Sequence, residues 1–211
     1  KDIARFRGQA PEAPSYVGLV ASSAPAAVDT WSFTDLKVTE GVAATTAAAS
    51  TPQMQPQMQP GDATGAVNAA PGPGCGNGKG LFDDAFKVHD PLWGAKSAEL
   101  DIANGQAEFD PAPGTPTLRW NRGFVFGDLD ACAGVSLAKA TTDPTTSYAG
   151  LIFWVEDSRN YYQAVIAPNG YFTVARIADG KAVAKRPVEW KKVSAIKSGA
   201  QEKNVLRITA K

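Results

Sequence analysis

The chain has 211 residues, with 21 lysines and arginines balanced by 21 aspartates and glutamates. A net charge of zero argues against nucleic acid or an anionic membrane as partner, because both reward a basic face. No apolar run approaches the ~20 residues of a membrane span. One histidine, His89, and two cysteines, Cys75 and Cys132, fall short of the ligand set that a zinc site gathers.

Three regions differ in composition: 1–40, 41–78 and 79–211. The chain starts at Lys1 with no Met and no evident signal peptide, which reads as a processed, cropped or engineered piece. Residues 2–8 (DIARFRG) alternate imperfectly between apolar and polar and read as a strand, followed by strands over 15–22 (SYVGLVAS) and 29–40 (DTWSFTDLKVTE). In the last run Trp31, Phe33, Leu36 and Val38 are apolar, which requires a bulge or phase change near Asp35. Residues 41–78 are rich in Ala, Thr, Pro, Gln and Gly, hold the repeat PQMQPQMQP, and have few large apolar side chains. Such a segment buries too little surface to offset its ordering entropy and reads as a solvated, semi-rigid tether, or as a tether that docks in part onto the fold.

The region from 79 onward is strand-rich. AELDIANGQAEFD (98–110) places Asn-Gly between two strand-like runs, and FVFGDLDACAGVSLAKA (124–140) supplies further strands. LIFWVED (151–157), YYQAVIA (161–167) and YFTVARIA (171–178) are separated by turn residues that include Asn169-Gly170, and Asp179-Gly180 follows the last, the strongest short-range hairpin signals. The chain closes on NVLRITAK (204–211), and the only helical turn expected lies around 190–199. The two cysteines are far apart; they read as a disulfide if the protein lies outside the cytoplasm, or else as two separate buried thiols.

FDDAFKVHDPLWG, AGLIFWVEDSRNYYQAVIAPNGYFTVARIADGK and NVLRITAK resemble the concanavalin A-like sandwich, and most nearly its bacterial 3-keto-disaccharide hydrolase-like family. The resemblance implies an all-β, antiparallel jelly-roll sandwich. In that family, strands like DIARFRG, VGL and WSFTDLKV come last, whereas here they come first. The turn and further strand that the family places between NVLRITAK and DIARFRG are found at neither end. The order fits a window on a tandem array, a circular permutant, or one of two pieces completed by a strand from another chain. We expect one sandwich in which 1–40 pair with 79–211, within the chain or by exchange with a neighbouring copy.

The resemblance implies glycoside hydrolysis, which ordinarily uses two carboxylates. Glu156 and Asp157 are the candidates, although Asp157 ends a strand and also reads as a turn residue accepting backbone hydrogen bonds. Aromatics give a better lead, because sugars stack on exposed rings beside polar groups. Trp154, Tyr161, Gln163, Arg176, Trp190 and Arg207 are the candidate ligand-binding residues, and strand alternation puts Tyr161 and Gln163 on one face with Tyr162 and Ala164 on the other. Trp31, Phe33, Trp93, Trp120, Phe124 and Phe126 read as core. No cofactor is expected apart from calcium, for which Asp83 and Asp84, with Asp90, Asp128 and Asp130, are the candidates.

The expected function is that of a non-catalytic module of a bacterial secreted, periplasmic or cell-surface protein, binding glycan or serving adhesion and assembly. The alternatives are a hydrolase of 3-keto-disaccharides and a structural repeat or split scaffold completed by a donated strand. The partner is accordingly a carbohydrate, a complementing strand or a neighbouring copy.

Overall fold

A computed structural model describes residues 3–41, 75–139 and 146–211. The tether expected over 41–78 lies outside the described residues for 42–74. Among the described residues, thirteen strands form a two-sheet antiparallel sandwich, and the only helix is a single 3-10 turn at Pro91–Trp93. The all-β class expected from the turn-punctuated apolar runs is the class observed.

One sheet has seven strands. Its path is β11 (Lys181–Ala182), β10 (Tyr171–Ala178), β9 (Asn160–Ile166), β8 (Tyr148–Asp157), β1 (Tyr16–Ser22) and β6 (Pro116–Trp120), with β12 (Val188–Lys192) also paired to β10. The other sheet has six. Its path is β13 (Asn204–Ala210), β7 (Leu129–Lys139), β2 (Thr30–Glu40), β5 (Gln106–Phe109) and β4 (Leu100–Ala103), with β3 (Gly80–Asp84) also paired to β2. Each sheet thus carries one N-terminal strand in its interior. β1 lies between β6 and β8, with Gly18 opposite both Trp120 and Ile152. β2 lies between β7 on one side and β5 and β3 on the other. Residues 16–40 therefore pair within the same chain.

The hydrophobic pattern explains the layering. Trp31, Phe33, Leu36 and Val38 of β2 meet Leu19 of β1, Leu151 and Phe153 of β8, and Phe172 and Val174 of β10 in one core cluster between the sheets. Burying each such side chain contributes about 1.5–3 kcal/mol. All four β2 side chains can face that core because Asp35 adopts φ 54° and the pairing with β7 slips between Thr34 and Lys37. The bulge expected near Asp35 is therefore present, and it brings the two apolar phases of the strand onto one face.

The turns follow their residues. Asn104 and Gly105 both take positive φ, 56° and 85°, in the β4–β5 hairpin, as a two-residue type I′ turn requires. Asp179 and Gly180 do the same, at 52° and 76°, between β10 and β11.

Several expectations need correction. Residues 3–8 form no strand; they run as a strap, with Phe6 stacked on Tyr162 at 6.2 Å and tilted against Phe153 at 6.3 Å. The Gln9 amide donates to the Tyr162 hydroxyl, and Lys191 Nζ donates to the Ile3 carbonyl. Side-chain packing and hydrogen bonds hold this segment without any ladder. The helical turn expected at 190–199 is instead the end of β12 followed by turns. Phe124 is 41 % exposed rather than core, while Trp31, Phe33, Trp93 and Phe126 are buried. Trp120 packs on the outer face of its sheet, against Tyr16 at 6.1 Å.

Cys75 and Cys132 are joined by a disulfide, with their Cα atoms 5.5 Å apart. It ties Cys75, within the segment read as a tether from the sequence, to the middle of β7. No helix among the described residues is long and apolar enough to cross a membrane.

Candidate functional site

Strand alternation gives the seven-stranded sheet two apolar faces. Phe153, Tyr162, Ala164, Ile166, Phe172 and Val174 point into the sandwich. Val20, Ile152, Val155, Tyr161 and Val165 form a second cluster on the outer face, flanked by partly buried Tyr16, Leu118, Trp120, Tyr148 and Ile177. A sheet that faced only water would carry polar residues on that side. This one carries aliphatic and aromatic residues instead.

The outer face holds a groove of about 420 Å³. Tyr148 from β8, Gln163 from β9, Tyr171 and Ile177 from β10, Ala182 from β11 and Trp190 from β12 line it, joined by Ser147, Ala167, Asn169 and Arg186 from the connecting segments. Two of its rings are open to solvent: Tyr171 and Trp190 are each 37 % exposed. Tyr148 sits beside Trp190 with ring centroids 6.4 Å apart, and the Arg186 guanidinium lies 6.0 Å from the Trp190 centroid.

Gln163, 6 % exposed, contributes a polar side chain to the groove lining. Tyr161, two residues earlier on the same face, has its hydroxyl pushed up to about 12, first by burial and then by the neighbouring Tyr148 phenol. It is a neutral phenol at physiological pH. The described lining of the groove contains no Asp or Glu.

The sequence-predicted residues separate into three places. Tyr161, Gln163 and Trp190 share the outer face, as the alternation of β9 required for the first two. Trp154 and Arg176 lie on the inner side around Tyr162. Trp154 makes an edge contact with Tyr162 at 5.2 Å, and the Arg176 guanidinium stands 5.8 Å from the same ring. A bulge carries Trp154 there: its φ is 49°, and the pairing with β9 shifts between Phe153 and Asp157. Consecutive Phe153 and Trp154 thereby both enter the core. Arg207 is on β13 in the opposite sheet, bonded to Asp130.

Glu156 and Asp157 stand at the exposed β8–β9 turn, outside the groove lining. Asp157 accepts from the Arg159 amide at 2.7 Å and from Asn160 Nδ2 at 3.0–3.1 Å, and these bonds, the Arg159 amide first, hold its carboxyl below the usual range. This is the turn geometry that a strand-ending Asp adopts. Asp83 pairs with Lys37 at 3.5 Å. Asp84 accepts from the Trp93 indole and the Phe86 amide, both at 2.7 Å, and Asp90 caps the 3-10 turn and accepts from Asn121. No group of three or more His, Cys, Asp or Glu side chains among the described residues is arranged to hold a metal ion. His89 is a loop residue whose Nε2 lies 2.8 Å from the Gly94 carbonyl oxygen.

Tyr148 and Arg186 were missed by sequence reasoning. Tyr148 precedes the apolar run that defines β8, and Arg186 belongs to the irregular stretch between β11 and β12, where no periodicity assigns a face. Compared with known proteins, the chain matches no family model, no curated protein and no solved structure.

Proposed function

We propose that this chain is a non-catalytic glycan-binding module that holds a sugar in the outer-face groove of its seven-stranded sheet. The observation that carries the reading is the half-exposed pair Tyr171 and Trp190 lining one groove with the polar side chain of Gln163. Apolar ring faces of sugars stack on such aromatics, and an amide both donates to and accepts from sugar hydroxyls. The resemblance to concanavalin A-like sandwiches, which implies a glycosidic substrate, supports a sugar as the ligand. The non-catalytic reading is favoured over hydrolysis because Glu156 and Asp157 lie outside the groove, with Asp157 engaged in its own turn. The Cys75–Cys132 disulfide is compatible with an extracellular or periplasmic setting.

Tryptophan fluorescence titrated with a panel of soluble oligosaccharides tests this. Trp190 should report binding by a shift in emission, and Trp190→Ala should abolish it. A panel that leaves the wild-type spectrum and the binding calorimetry flat would sink the proposal.

A further inference from the structure

We propose that the sugar held in this groove is acidic, a uronic-acid unit whose carboxylate is taken by Arg186; the inference rests on the glycan-binding reading and narrows it to one chemical class. The chain as a whole is neutral, with 21 basic and 21 acidic residues, but the described lining of the groove carries one cation and no acid. Arg186 lines it, half-buried, and forms no ion pair with any described residue. Three other arginines are engaged in ion pairs: Arg119 with Glu99, Arg159 with Asp179 and Arg207 with Asp130.

No carboxylate in the described lining offsets this charge. Glu189, the nearest acid in sequence to Trp190, is exposed and outside the lining. The guanidinium is also oriented. Its position over the Trp190 ring, 6.0 Å from the centroid, restricts the long side chain and leaves its N–H edge for a planar acceptor. A carboxylate matches that fork with two parallel hydrogen bonds, which a neutral hydroxyl cannot do. The site then has three functions in one groove: rings for the apolar sugar face, Gln163 for hydroxyls and Arg186 for the acid group.

The experiment compares an oligogalacturonate with a neutral oligosaccharide of equal length, by calorimetry and Trp190 fluorescence, at low and high salt. The acidic oligomer should bind at least about tenfold more tightly, as a charge-assisted pair supplies, and added salt should erode that preference. Arg186→Gln should reduce the ratio of the two affinities to near one, and Arg186→Lys should restore part of it. Circular dichroism and the melting temperature of each variant check that the fold is retained. Equal affinities for the two oligomers, or a preference that survives Arg186→Gln, would overturn the acidic-ligand inference while leaving glycan binding in place. Binding of neither oligomer, together with a flat response to the wider sugar panel, would overturn both.

Discussion

The Arg207 guanidinium grips the carboxylate of Asp130 with two prongs: Nε donates to Oδ1 at 2.8 Å, and Nη2 donates to Oδ2. The Asp130 side chain is only 2 % exposed, whereas that of Arg207 is 44 % exposed. Removing the arginine strands a buried charge, which is the costly way to break such a pair. Arg207→Met should therefore lower stability by about 2 kcal/mol, tempered by the solvent that reaches the guanidinium. The double variant Asp130→Asn/Arg207→Met should recover part of that loss. Urea denaturation of the two single variants and the double one measures the coupling, and additive losses would refute it.

The disulfide between Cys75 and Cys132 spans a sequence separation of 57. Closing a loop of that length removes unfolded-state entropy worth about 4 kcal/mol. Reduction, or the Cys75→Ser/Cys132→Ser variant, should lower the melting temperature by well over 5 °C. Differential scanning calorimetry with and without reductant shows this directly. Equal melting temperatures would mean that the cross-link contributes no net stability.

Gly18 pairs with Trp120 where β1 runs beside β6. A Cβ there would stand 2.2 Å from the Arg119 carbonyl oxygen and 2.7 Å from the Trp120 Cβ. Neither neighbour is the free end of a flexible side chain, so the two strands would have to separate. Gly18→Ala should destabilise by about 1–3 kcal/mol, read as a lower urea midpoint with an unchanged slope. A neutral substitution would show that the strands give way more easily than their pairing implies.

Tyr161 supplies a pH dependence. Its folded pKa, raised to about 12, exceeds the ~10 of a tyrosine in an unfolded chain. Between those values the unfolded state has lost a proton that the folded state keeps, so stability falls as pH rises. The contribution is complete below pH 10 and is lost by about pH 12. Denaturant melts of wild type and Tyr161→Phe across that window should diverge, with the wild type losing stability more steeply. Parallel curves would place the phenol in a wetter setting than its burial indicates.

Local chemistry was legible in the sequence wherever it acted locally. The hairpins at Asn104-Gly105 and Asp179-Gly180 follow from residues that tolerate positive φ. The bulge at Asp35 follows from a mismatch between apolar phases that no regular strand resolves. Residues 2–8, by contrast, have some of a strand's alternation without a strand's neighbours; Phe6 finds a place against Tyr162 instead. β6 follows a proline- and glycine-rich stretch and is built by pairing with β1, so its own composition announces little. The same limit governs the groove. Tyr161 and Gln163 share a face by simple alternation, but the bulge at Trp154 and the approach of Arg186 are set by tertiary packing.

The interior placement of β1 and β2 has a kinetic consequence. Gly18 must find Trp120 and Ile152, and Phe33 must find Ala107 and Val135, before either sheet is continuous. Contacts this distant along the chain close large loops, and proteins built from them fold in milliseconds to seconds rather than microseconds. Until β6 to β8 are available, the apolar runs of residues 16–40 have no shelter, and each has both backbone edges open. The chain is therefore most vulnerable to aggregation early in folding, and its N-terminal segment becomes the keystone of both sheets only at the end.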